Sequence, residues 1–73
     1  PALALFGGPA GDEVYRRLFA DAARVVKPGG WIILELGWRS AAAVREMASG
    51  AWTDLEIRPD LAGRDRVFAA RLR

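Results

Sequence analysis

Lys27-Pro28-Gly29-Gly30-Trp31-Ile32-Ile33-Leu34-Glu35-Leu36 is the stretch that decides the fold of this 73-residue chain. Proline disfavours helical geometry at the residue before it, and glycine accepts the positive φ of a helix's C-terminal turn, so Lys27 to Gly30 stop whatever helix precedes them. From Trp31 to Leu36 the residues are apolar except for Glu35 and show no alternation, the pattern of a central strand covered on both faces.

Upstream of that stop, Val14, Tyr15, Leu18, Phe19, Ala22, Val25 and Val26 recur at helical spacing and mark one apolar stripe, with Arg16, Arg17, Asp21 and Arg24 falling mostly off it. The turn cluster Phe6-Gly7-Gly8-Pro9-Ala10-Gly11-Asp12 precedes this helix, and Asp12 is the expected N-cap. Pro1 opens the chain without a methionine and leads straight into Ala2-Leu3-Ala4-Leu5-Phe6, from which a segment internal to a longer polypeptide is expected.

Downstream, Gly37-Trp38-Arg39-Ser40 forms a turn, with Ser40 the expected N-cap of a short helix over Ala41–Ser49 and Gly50 its stop. Leu55 and Ile57 alternate with Glu56 and Arg58, which predicts a strand near the sheet edge with one wetter face, closed by Pro59. A polar connection over Leu61–Arg66 leads to a last strand over Val67–Leu72. The predicted order is helix, strand, helix, strand, strand. Strand-helix-strand implies a parallel crossover, and the short final link implies that the last strand returns antiparallel. The chain therefore reads as one partial α/β domain over residues 1–73, half of a doubly wound sheet without its first strands. An open edge on such a sheet exposes apolar surface and favours self-association.

Composition removes most catalytic chemistries. There is no cysteine and no histidine, which excludes thiol nucleophiles, thiolate metal sites and imidazole bases. No pair of carboxylates stands in apolar surroundings, and no metal site is expected. Ten arginines and one lysine are scattered among nine acids for a net charge of +2, unlike the clustered basic face and stacking aromatics of a nucleic-acid module. No apolar run approaches the ~20 residues of a membrane helix, so a cytoplasmic protein is expected. Glu35, the one polar residue of its strand, is expected near the strand's end, tying down a neighbouring loop or helix N-terminus. Tyr15, Phe19, Trp31 and Trp52 are expected in the packing.

A helix followed by Lys27-Pro28-Gly29-Gly30-Trp31 and a buried strand resembles the region before the fifth strand of class I S-adenosylmethionine-dependent methyltransferases. More specific are Ala4-Leu5-Phe6-Gly7-Gly8 with Gly11, Tyr15-Arg16-Arg17-Leu18, Leu34-Glu35-Leu36-Gly37, Ala43-Val44-Arg45 and Asp60-Leu61-Ala62-Gly63-Arg64-Asp65-Arg66-Val67. In this order and spacing the whole chain resembles the C-terminal part of the protein-(glutamine-N5) methyltransferases that modify peptide chain release factors. The resemblance implies the C-terminal half of a Rossmann-like class I methyltransferase sheet. It also implies methyl transfer from S-adenosylmethionine to the glutamine of a release factor's Gly-Gly-Gln motif. The family's Asn-Pro-Pro-Tyr motif is not in this sequence. Nor is a glycine-rich turn after a first strand with an acidic residue after the second. Gly7 to Gly11 is no phosphate loop either, lacking its Lys and Ser/Thr and following no clear strand. No catalytic and no cofactor-binding residue is expected here, and the piece alone is expected to be inactive and to bind no S-adenosylmethionine.

In open α/β sheets ligands gather beyond the carboxyl ends of the parallel strands. The turn Gly37, Trp38, Arg39 and the connection carrying Asp60, Arg64 and Arg66 are expected to meet at that end and are the candidates for docking the release-factor loop. Against this, Trp38 reads more readily as a cap on the core, and Arg64, Asp65 and Arg66 serve equally as solvated hairpin charges of little individual worth. Two other functions fit the pattern: a class I methyltransferase acting on RNA or a small molecule, and a non-catalytic module that pairs through its sheet edge.

Overall fold

The computed structural model describes residues 2–73; Pro1 lies outside the described residues. The elements are β1 (Leu3–Phe6), α1 (Asp12–Val25), β2 (Trp31–Glu35), α2 (Ala41–Met47), β3 (Trp52–Pro59) and β4 (Asp65–Leu72). The four strands form one mixed sheet in the order β1-β2-β4-β3. β2 pairs parallel with β1 and antiparallel with β4, and β3 pairs antiparallel with β4. The fold is thus the expected α/β unit with an antiparallel last strand, and β3 is the expected edge.

One strand is additional to the expected five elements. Leu3–Phe6 pairs with Trp31–Leu34, so the glycine-rich turn at Gly7 does follow a strand. With only four residues, and with leucine and alanine alternating in place of apolar and polar residues, β1 carries no period that distinguishes it from a coil. Its neighbour carries the trace. A Cβ on Gly30 would lie 2.7 Å from the Ala2 carbonyl oxygen and 2.7 Å from a Val26 methyl, so the second glycine of the Lys-Pro-Gly-Gly turn is required by the close approach of β1. The first glycine makes the turn itself: Gly29 has φ 85° and donates to Leu72 O at 2.8 Å.

The core lies between the sheet and both helices. Tyr15, Phe19 and Ala22 of α1 pack with Ile32 and Leu34 of β2, Phe68 and Ala70 of β4, Trp52 of β3 and Val44 of α2, all buried. Phe19 meets Trp52 and Phe68 edge to face, with ring centroids 6.1 and 5.8 Å apart. The spacing 15, 19, 22, 26 defines a narrower stripe than expected: Val14 and Val25 are 47% and 52% exposed.

β2 departs from expectation in one respect. Ile32, Leu34 and Leu36 are buried while Trp31, Ile33 and Glu35 are half-buried, so within this chain helices cover one face only. The registers place Leu3, Leu5, Trp31, Ile33, Val67 and Ala69 together on the opposite face, where Leu3 and Leu5 are 50% and 69% exposed. The unbroken apolar run of β2 is therefore the composition of a two-sided strand carrying a one-sided cover.

Two caps also differ. Gly11, and not Asp12, occupies the N-cap of α1, with Asp12 and Glu13 in the first turn, where acidic side chains complement the helix dipole. Ser40 holds the N-cap position of α2 in a helical conformation without a side-chain capping bond, and the helix ends at Met47.

Candidate functional site

At the carboxyl end of β2 the chain enters a turn built on Gly37. Its amide donates to the Tyr15 hydroxyl at 2.9 Å, and Ser40 N donates back to Gly37 O at 3.1 Å. A Cβ on Gly37 would lie 3.2 Å from Ser40 Oγ and 3.4 Å from Pro9 Cβ, so a larger residue fits only if Ser40 gives by a few tenths of an ångström. Arg39 takes a left-handed φ of 62°, uncommon for a residue with a Cβ. That backbone lays its guanidinium over the Trp38 ring, 4.2 Å from the centroid, within cation–π range. Trp38 is 76% exposed. It does not cap the core.

The facing wall is the link between β3 and β4. Asp60 N donates to Arg64 O at 2.8 Å and Gly63 N to Asp60 O at 3.0 Å. The Asp60 carboxylate accepts from the amides of Ala62 at 2.9 Å and Arg64 at 3.0 Å. The Arg64 amide holds this carboxyl below its ordinary value near 3.8, helped by the Ala62 amide and by the charges of Arg64 and Arg66. A folded-state value below the unfolded one stabilises the loop above the unfolded value and loses that contribution as pH falls through the folded value. In a pH titration followed by NMR, the Ala62 and Arg64 amide signals will therefore shift together with a midpoint below that of an exposed aspartate. A midpoint at the ordinary value would break the assignment of Asp60 as the loop's internal cap.

Between these walls lies an open cleft of about 510 Å³, lined by Leu36 to Ala41 on one side and by Asp60 and Gly63 to Arg66 on the other. All six candidates from the sequence, Gly37, Trp38, Arg39, Asp60, Arg64 and Arg66, lie on it. Their duties differ. The Asp60 carboxylate is spent on its own loop, and Arg66 pairs with Glu35 at 3.1 Å. Among the described residues the Arg64 guanidinium forms no ion pair, and with Trp38 and Arg39 it lines the cleft.

Glu35 does what its position at the strand's end suggested. One carboxylate oxygen accepts the Gly8 amide of the β1–α1 turn, while the other meets Arg66. The Gly8 amide is thus engaged by a carboxylate of the neighbouring strand. Sequence reasoning had placed Tyr15 in the packing alone. Its ring is buried, and its hydroxyl donates to Glu35 O at 2.7 Å and accepts from Ala10 N at 3.2 Å and Gly37 N at 2.9 Å. The one available signal was a tyrosine where a phenylalanine would fill the stripe, because a buried hydroxyl requires partners.

No group of histidine, cysteine, aspartate and glutamate among the described residues is arranged to hold a metal ion, and no helix there is long and apolar enough to cross a membrane.

Comparison with known proteins adds to this geometry. Over 72 residues the chain is 46% identical to the release factor glutamine methyltransferase of Moorella thermoacetica, a match covering 96% of this chain and 25% of the relative. The protein of the same name from Deinococcus radiodurans is 44% identical over 72 residues, covering 97% of this chain and 26% of the relative. That of Koribacter versatilis is 38% identical over 71 residues, covering 97% and 25%. No family model and no solved structure matches the chain. The chain spans about a quarter of the length of the relatives it matches. Matched along nearly its whole length by proteins of one name, and built as a mixed α/β sheet consistent with a partial class I methyltransferase fold, the chain is similar to the C-terminal part of release factor glutamine methyltransferases.

Proposed function

We propose that the chain is the C-terminal part of an S-adenosylmethionine-dependent methyltransferase acting on the glutamine of a release factor's Gly-Gly-Gln loop, and that the cleft between Leu36–Ala41 and Asp60–Arg66 docks that loop. The observation that carries the reading is identity along the entire chain with proteins named for this activity. The cleft supports it: an exposed tryptophan braced by an arginine, with a second guanidinium opposite, lies where ligands gather on an open sheet. Aromatic and arginine side chains are the residues that most often anchor protein contacts.

An amide nitrogen is a poor nucleophile, so the enzyme's task is to hold the glutamine in near-attack geometry. Trp38, Arg39 and Arg64 contribute to this by fixing the acceptor's flanking residues. S-adenosylmethionine, when bound, supplies the electrophilic methyl group, and no residue of this segment is assigned to holding it. A cytoplasmic location, where release factors work, belongs to the same reading. So does self-association of the isolated 73 residues through the unpaired edge of β1 and the bare face beside it.

The test is methyl transfer by the complete gene product carrying this segment. Release factor with an intact Gly-Gly-Gln loop becomes methylated at the glutamine, and Trp38→Ala raises KM for the release factor about tenfold, the equivalent of losing one modest interface anchor. Methylation of tRNA or rRNA with none of the release factor would decide for an RNA acceptor instead.

A further inference from the structure

Glu35 contacts the turn between β1 and α1, helix α1 and strand β4 at once. Its carboxylate accepts from Gly8 in the turn between β1 and α1 and pairs with Arg66 on the far wall of the cleft. Its carbonyl accepts the Tyr15 hydroxyl, which in turn accepts the Gly37 amide at the start of the near wall. Both walls are therefore referenced to one position at the end of β2.

The carboxylate is not needed to place the strand that bears Arg66. Leu36 N donates to Arg66 O at 2.7 Å, and the β2–β4 ladder runs through Glu35 and Val67, so the backbone is already fixed there. What the carboxylate adds is the direction of the Arg66 guanidinium and a tether on the Gly8 turn. The two side chains are 51% and 32% exposed, a setting in which an ion pair contributes little to stability. Its consequence falls on the shape and charge of the cleft.

We propose that Glu35 is a positioning residue of the acceptor cleft: it turns the Arg66 guanidinium toward β2 and ties it to the Gly8 turn, so that acceptor affinity depends on the carboxylate while the fold does not. This rests on the reading of the cleft as the acceptor site. Glu35→Gln keeps an oxygen for the Gly8 amide and removes the charge that orients Arg66, whereas Glu35→Ala removes both.

In the complete gene product, Glu35→Gln is expected to raise KM for the release factor about fivefold with kcat within about twofold, the pattern of lost acceptor binding without lost chemistry. Combined with Arg66→Gln it adds nothing further, because both substitutions break one contact. Thermal unfolding stays within about two degrees of the parent, as for an exposed pair. An unchanged KM, or effects of the two substitutions that multiply independently, would overturn the proposal, and so would a KM change matched by loss of fold. If the parent methylates no release factor, the functional reading fails by itself. Hydrogen exchange at Gly8 and the Arg66 Nε signal then judge the tether: Gly8 must exchange faster in Glu35→Ala, and the Arg66 signal must move in both variants. No change in either sinks it.

Discussion

Phe68→Ala is expected to remove most of the chain's folding stability. Phe68 is fully buried in β4, the strand that joins β2 to β3, and its ring is 5.8 Å from that of Phe19, which in turn packs on Trp52. Truncating a buried phenylalanine costs about 3–5 kcal/mol in transfer energy and residual cavity. Ordinary domains have about 5–15 kcal/mol in total, and a small chain with one sheet face uncovered belongs at the low end. Urea unfolding followed by circular dichroism checks this. The midpoint falls steeply, and Phe68→Leu, which keeps most of the volume, recovers much of the loss. A change of under about 1 kcal/mol for the alanine variant would mean that the aromatic cluster is not the centre of the core.

Tyr15→Phe will cost about 2–3 kcal/mol, more than a typical single hydrogen bond, because one hydroxyl serves three backbone groups. The ring keeps its packing. Lost are the bond to Glu35 O at 2.7 Å and the acceptor for Gly37 N at 2.9 Å and Ala10 N at 3.2 Å. Two amides and a carbonyl near the sheet end are then left to find water. Denaturation gives the stability change. Hydrogen exchange locates it: the Gly37 and Ala10 amides lose protection far beyond the global effect. Equal loss everywhere would assign Tyr15 to packing alone.

Much of the architecture was legible because helix stops and apolar runs are local. Lys27 to Gly30 announced both the end of α1 and the start of β2, and Pro59 announced the end of β3. β1 was illegible for the opposite reason. A four-residue strand owes its existence to the neighbour it pairs with, and the only mark it left is the glycine at position 30. The cover of β2 was misjudged because an apolar run records what a strand is composed for, while the helices of this chain lie on one side only.

The cleft was foreseeable from topology, since an antiparallel β4 returns Arg64 and Arg66 to the end of the sheet where Gly37 begins its turn. Which groups are spent and which are open was not. Asp60 caps its own loop, and Arg66 answers to Glu35, a residue distant in sequence. Trp38, which read more readily as a cap on the core, projects from a turn whose left-handed Arg39 no propensity would nominate.

The strand order has a consequence in time. Among the described residues β4 comes last of the elements yet lies inside the sheet, and there it is the sole sheet partner of β3. While the chain is being synthesised, β3 has no hydrogen-bonding partner until the following eight-residue strand has emerged, and α2 has only part of the surface it packs on. Contacts that span such separations form slowly, since loop closure must be completed before they reward it. Within this segment β4 therefore inserts between two waiting neighbours, and until Asp65 and the residues after it have emerged, α1 and the parallel pair β1 and β2 lack the strand that brings Phe68 and Ala70 to their shared core.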